Sequence, residues 1–227
     1  RFLGDYKYGL EPFNIRENIA GSCESILTRS LSPFKEKGIA YNKGIISIHN
    51  NSYLIGFWQS EKYFKDIDYI IATDFTFKHE PEGKNKELAD EINVSEAVSV
   101  HVRRGDYVTD KILSPCCECY YKTAFEIMKE RLNNPHFYVF SDDIPWAEYN
   151  IKYSNNITFV DNNDSTKGYE DMRLMSICRH NIIANSSFSW WGAWLNRNPK
   201  KIIIAPRKWF NNEWDSSDLV PETWLRL

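Results

Sequence analysis

Residues 98–107 read VSVHVRRGDY, an apolar run that passes without a break into two arginines, a glycine and an aspartate. In an extended strand, alternation of side chains puts His101 and Arg103 on one face and Val102 and Arg104 on the other. From residue 97 onward the pattern recurs: nearly continuous apolar runs at 97–102, 137–140, 157–160, 181–184 and 202–205 alternate with helical stretches. Strands covered by helices on both faces lose polar–apolar alternation, so these runs read as parallel βαβ units. The expected fold class is α/β, with a doubly wound parallel sheet over residues 94–227. One of its helices runs from Tyr120, where Tyr121, Ala124, Phe125, Met128 and Leu132 recur at helical spacing.

Residues 1–93 are less regular, with a strand-like GIISIHN at 44–50 and an aromatic stretch, YLIGFWQSEKYF, at 53–64. The polar HEPEGKNKELADEIN at 79–93 suits a linker followed by a connecting helix. Two domains are therefore expected, 1–93 and 94–227, which a chain of 227 residues accommodates. Hydrophobic residues at 42% and aromatic residues at 15% require a folded chain with a large core. The net charge of −3 gives no general positive field for nucleic acid or an anionic membrane, so an anionic ligand must be held locally.

No apolar run approaches the roughly 20 residues of a membrane span, and the opening RFLGDYKYGL lacks a signal-peptide core, so a soluble chain is expected. The start at Arg1 without methionine raises the expectation that something upstream was removed. Five cysteines, Cys23, Cys116, Cys117, Cys119 and Cys178, are an odd number in a chain too large to depend on disulfides, which points to a reducing compartment. The cluster CCECYY lacks a second Cys/His pair at zinc spacing and reads as a loop entering a helix.

Ligands of open parallel sheets sit at the carboxyl ends of strands. Arg103 is the candidate for phosphates, because a guanidinium fork matches phosphate oxygens and stays charged at any working pH. Arg104 is expected to brace Asp106 or a second phosphate; the alternative is a structural Arg–Asp pair. In FYVFSDDIPW, 137–146, Ser141 and Asp142 are expected on a base or ribose edge, with Asp143 capping the next helix. The adjacent Asp142 and Asp143 lack the spacing of a metal-binding pair, and no metal is expected. The segment at 169–196 reads as helix, strand, Asn-Ser-Ser turn and helix. Ser186, Ser187 and Ser189 there either hold an anion at the helix N-terminus or cap the helix. Trp190, Trp191 and Trp194 read as core. Asp106 and His101 are the candidates for a base.

HVRRGDY, FSDDIPW and ANSSFSWWGAWLN, with GFWQSEKYF at 56–64, IIIAPRKWF at 202–210 and the terminal VPETWLRL, resemble the α1,2-fucosyltransferases of glycosyltransferase family 11. The resemblance covers nearly the whole chain. It implies a GT-B fold of two Rossmann-like domains, with an acceptor-side N-terminal domain. It also implies metal-independent, inverting transfer of L-fucose from GDP-fucose to the 2-hydroxyl of a terminal galactose, with no cofactor beyond that co-substrate. By similarity, the Arg103 position holds the diphosphate, with Arg104, Ser141, Asp142, Asn185 and the 186–189 stretch, Phe188 included, on the donor side. More distant fucosyltransferases point to Asp171 for nucleotide recognition. Trp58, Gln59 and Glu61 fall to the acceptor side. Family members open with a segment reading like GGLGNQMFQ, which does not occur before Arg1, so a missing front is expected. Other readings are a catalytically impaired binding homologue and a transferase of another GDP-sugar. The expected location is the bacterial cytoplasm, with peripheral membrane association and a galactose-terminated oligosaccharide or lipid-linked glycan as acceptor.

Overall fold

The computed structural model describes residues 10–15 and 31–227; Cys23 lies outside them. The described residues fall into two units. One, Phe13–Thr76 with Glu213–Pro221, contains β1 (Ser32–Lys35), β2 (Ser52–Ile55) and α1 (Asp68–Asp74). The two strands pair in parallel, from Ser32 opposite Ser52 to Lys35 opposite Ile55. The expected strand at 44–50 is instead a 3-10 turn over Lys43–Ser47. Turn chemistry overrides the apolar run there, because the Asn42 side chain accepts the Gly44 N–H at 3.0 Å. The returning segment is tied in through Asp218, which pairs with Lys62 and accepts the Tyr41 N–H at 3.0 Å.

The other unit holds, of the described residues, 10–12, Phe77–Asn212 and Glu222–Leu227. Its elements are α2 (Gly83–Val94), β3 (Ala97–Val102), α3 (Glu118–Arg131), β4 (His136–Ser141), α4 (Ile144–Asn150), β5 (Ile157–Val160), α5 (Gly168–Ile177), β6 (His180–Ile182), α6 (Ser187–Leu195), β7 (Ile203–Ala205) and β8 (Leu225–Arg226). All six strands are parallel, in the order β5-β4-β3-β6-β7-β8. Counted within the unit, that order is 3-2-1-4-5-6, so the winding reverses between β3 and β6, where an open sheet leaves a crevice for a ligand. The expected doubly wound sheet is present, with β8 as an unforeseen edge strand.

Side-chain parity builds a core on each face. Val98, Val100 and Val102 of β3 pack with Phe137 and Val139 of β4 against Tyr121, Ala124, Phe125 and Met128 of α3 and Ala147 of α4. On the opposite face, Ala97, Tyr138 and Phe140 meet Leu88, Ala89 and Ile92 of α2 and Leu174 and Met175 of α5. Because the apolar stripe of α2 belongs to this second core, the units divide at residue 76/77, ahead of that helix, while the expected boundary near 93 lies at its end. Trp190 and Trp194 are buried, as expected of core residues. Buried Asn181 on β6 is fully used: it donates to Ser99 Oγ at 2.7 Å and to the Met175 carbonyl at 2.9 Å, and accepts from Asn196 at 2.8 Å. These bonds lock β6 to β3 and to the ends of α5 and α6. Among the described residues no helix is long and apolar enough to cross a membrane.

Candidate active site

The sheet points two arginines out of the carboxyl end of β3 on opposite faces, and they do different work. Arg104 turns toward α4: its Nε donates to Asp143 Oδ2 at 3.1 Å and its guanidinium lies 4.0 Å over the Trp146 ring. It therefore braces Asp143 where Asp106 was expected. Arg103 stays at the strand mouth, where Nη2 pairs with Asp106 at 2.6 Å and Nη1 with Asp142 at 2.9 Å. Asp142 also accepts the Arg104 N–H at 2.8 Å. A Cβ on Gly105 would overlap the Asp142 carboxylate, so a side chain there would push that carboxylate from its place beside Arg103. Asp143 caps α4 as expected, accepting the Trp146 N–H at 3.2 Å, while Ser141 Oγ accepts the Asp143 N–H at 3.0 Å.

Beside Arg103 on the same face of β3, His101 is buried with its ring 5.5 Å from that of Phe188. Its Nδ1 has no hydrogen-bond partner among the described residues. Burial, with the Arg103 charge adding to it, pushes its pKa down to about 3, so the imidazole is neutral near pH 7. Asp106, by contrast, is exposed.

Phe188 belongs to the first turn of α6, whose N-cap Ser186 makes no side-chain capping bond. The Ser189 hydroxyl donates into its own turn, to Ser186 O at 3.3 Å. Asn185 is committed as well: its amide donates to the carbonyls of Ser114 at 3.1 Å and Trp209 at 2.9 Å. What this turn offers a ligand is the exposed Ser187 and the leading edge of an uncapped helix. A Cβ on Gly168 would lie 3.7 Å from the Phe188 ring, so the first residues of α5 meet α6 here.

Asp171 projects from the first half of α5 and accepts from Asn163 at 2.7 Å. Asn162 and Asn163 both donate to Asn85 of α2, at 2.7 and 2.9 Å. Burial, with the charge of Glu170 adding to it and the Asn163 bond opposing it, raises the Asp171 pKa to about 6. This amide network was not anticipated; its signal is the Asn162-Asn163 doublet just past β5.

In the other unit, Trp58 adopts a left-handed backbone, φ 53°, unusual for a bulky residue. Buried Glu36 holds that backbone by accepting the N–H groups of Phe57 at 2.8 Å and Trp58 at 3.1 Å. The Trp58 indole packs between Phe34 and Tyr63, with centroids at 6.0 and 5.3 Å. Gln59 and Glu61 are half-buried on either side of Ser60. Glu36 escaped sequence reading because a lone acid between lysines looks like a solvated face.

A family model described as glycosyl transferase family 11 matches residues 34–226. This chain belongs to glycosyl transferase family 11. The family 11 chain is 46% identical over 187 residues to an alpha-1,2-colitosyltransferase of Escherichia coli, a match covering 76% of this chain and 61% of that protein. It is 41% identical over 133 residues to the O-antigen biosynthesis glycosyltransferase WbnK of the same species, covering 57% of this chain and 44% of WbnK. Human galactoside alpha-(1,2)-fucosyltransferase 1 is 25% identical over 156 residues, covering 63% of this chain and 42% of that protein. The match thus spans about three fifths or less of each relative.

One expectation for this family 11 chain needs correction. Cys117 and Cys119, read as part of a loop in a chain with no need of disulfides, are joined in one, with Cα atoms 5.3 Å apart. Cys117 is the N-cap of α3, its sulfur accepting the Tyr120 N–H at 3.3 Å, and that turn brings Cys119 alongside. Cys116 and Cys178 remain free. Among the described residues no group of three or more His, Cys, Asp or Glu side chains is placed to hold a metal ion.

Proposed function

We propose that this chain carries the donor-binding part of a GT-B transferase that moves L-fucose from GDP-β-L-fucose to the 2-hydroxyl of a terminal galactose, inverting the anomeric centre without a metal. Both units are then Rossmann-like domains in the complete fold, with the one bearing Trp58, Gln59 and Glu61 on the acceptor side. The observation that carries the reading is Arg103 at the mouth of β3, at the switch point of the sheet, linked through Tyr107 to the uncapped turn of α6. An anion is best met at such a helix end.

As the glycosidic bond breaks, positive charge grows on the sugar and negative charge on the β-phosphate. Arg103 and the leading amides of α6 would receive that negative charge, and preorganised donors of this kind contribute about 2.7–4 kcal/mol each. Because Arg103 is held by two carboxylates before any ligand arrives, an incoming diphosphate displaces Asp106 from Nη2 while Asp142 keeps Nη1. Asp106, freed and exposed, is then available to take the proton of the acceptor hydroxyl. Burial, which disfavours the protonated imidazole, makes His101 a poor proton acceptor. Asp171, with Asn163 behind it, is assigned to the nucleotide, together with Ser141. The acceptor is a galactose-terminated glycan, free or lipid-linked, met in the bacterial cytoplasm or peripherally at its membrane.

A second reading changes only the donor sugar, and is favoured by the likeness to the 46% identical relative, a colitosyltransferase. Incubation of the full-length protein with GDP-fucose or GDP-colitose and a β-galactoside, followed by linkage analysis of the product, separates the two. The first reading expects a fucosyl α1,2 product, the second a colitosyl one, and hydrolysis without transfer contradicts both.

A further inference from the structure

Tyr107, which links Arg103 to the turn ahead of α6, takes no part in the transfer steps themselves. Its ring lies against the Arg103 guanidinium, with Cζ 5.2 Å from the ring centroid, inside the roughly 6 Å reach of a cation–π contact. Its hydroxyl donates to the Asn185 carbonyl at 3.3 Å and shares a hydrogen bond with the Ser186 side chain. Asn185 and Ser186 immediately precede α6, so one phenol spans the distance from the arginine to the helix end. The anchor is stiff, because the Asn185 amide is itself held by the carbonyls of Ser114 and Trp209. Asp106 and Asp142 hold two guanidinium nitrogens of Arg103, and the guanidinium carbon lies over the Tyr107 ring.

We propose that Tyr107 is the positioning residue of the diphosphate site, its ring setting the tilt of Arg103 and its hydroxyl setting the separation between Arg103 and the first turn of α6. The proposal rests on the reading that these two features hold the diphosphate. Burial keeps the phenol protonated at working pH, which makes it a donor and excludes it as the base.

The test compares Tyr107→Phe and Tyr107→Leu in the full-length protein, reading GDP affinity by calorimetry and kcat by transfer from GDP-fucose, with melting temperatures alongside. Phe keeps the ring, so kcat is expected to stay within about twofold while GDP binding weakens roughly three- to tenfold. Leu removes ring and hydroxyl, so GDP binding weakens similarly and kcat falls roughly tenfold as well. A purely structural role would instead move kcat and affinity together, in step with melting temperature. A Leu variant that keeps both parameters, or one whose losses equal those of Phe, overturns the proposal. If the Leu variant does not fold, the Phe variant still decides, since unchanged GDP affinity there overturns it too. Arg103→Ala in the same series separates the two levels. Unchanged turnover in that variant removes the diphosphate reading itself, whereas a loss there beside silent Tyr107 variants removes only this inference.

Discussion

Arg103 and Arg104 are neighbours in sequence, yet strand parity sends one to Asp106 at the mouth of β3 and the other to Asp143 and Trp146 of the α4 side. That much was legible from VSVHVRRGDY, because period-two alternation is a property of the strand itself. Which carboxylate each arginine meets was not legible, since Asp142 and Asp143 follow β4 and arrive only when the sheet forms. Arg103→Ala is expected to lower turnover at least roughly a hundredfold in steady-state kinetics, with the melting temperature nearly unchanged. The group carries its charge at the rim, so its loss leaves the core intact. Asp171 makes a separate prediction. Its carboxyl titrates near 6 in the folded protein against an ordinary 3.8, so the folded state binds the proton more tightly than the unfolded chain does. The resulting stability is complete below about pH 4 and is lost as pH rises through about 6. Melting temperatures of the wild type should therefore fall relative to Asp171→Asn between about pH 4 and pH 7; a constant difference across that range would show that the carboxyl is not perturbed.

At the scale of elements, continuous apolar runs placed five strands of the doubly wound sheet, because such runs arise only when both faces are covered. The strand β8 has two residues and is too short to leave a periodic signal. GIISIHN misled for a different reason: Asn42 and Gly44 close a turn locally before the apolar residues can pair. The helix α4 was anticipated through its cap, and that cap carries a prediction. Asp143 accepts the Trp146 N–H and also holds Arg104, so Asp143→Ala should destabilise the protein by about 0.5–2 kcal/mol in chemical unfolding. Asp143→Asn, which keeps an acceptor for the cap, should recover most of that loss. Equal destabilisation by Ala and Asn would mean that the charge on Arg104, rather than the cap, is what matters.

At the largest scale, the place where the two units divide turns on one helix. The polarity of residues 79–93 hides the stripe Leu88, Ala89 and Ile92, which only the finished core reveals as belonging to the doubly wound unit. Site residues scattered from Arg103 to Ser187 converge because the winding reverses between β3 and β6, an arrangement that no single motif spells out. The central claim is that this unit holds a guanosine diphosphate with its own arginine and helix end. It is tested most directly by calorimetric titration of the chain with GDP, GDP-fucose and UDP in the presence of EDTA, beside Arg103→Ala. Binding is expected to prefer GDP to UDP, to persist without divalent cations and to weaken sharply in the variant. GDP binding that is absent, indifferent to the base, or unchanged by loss of Arg103 would contradict it.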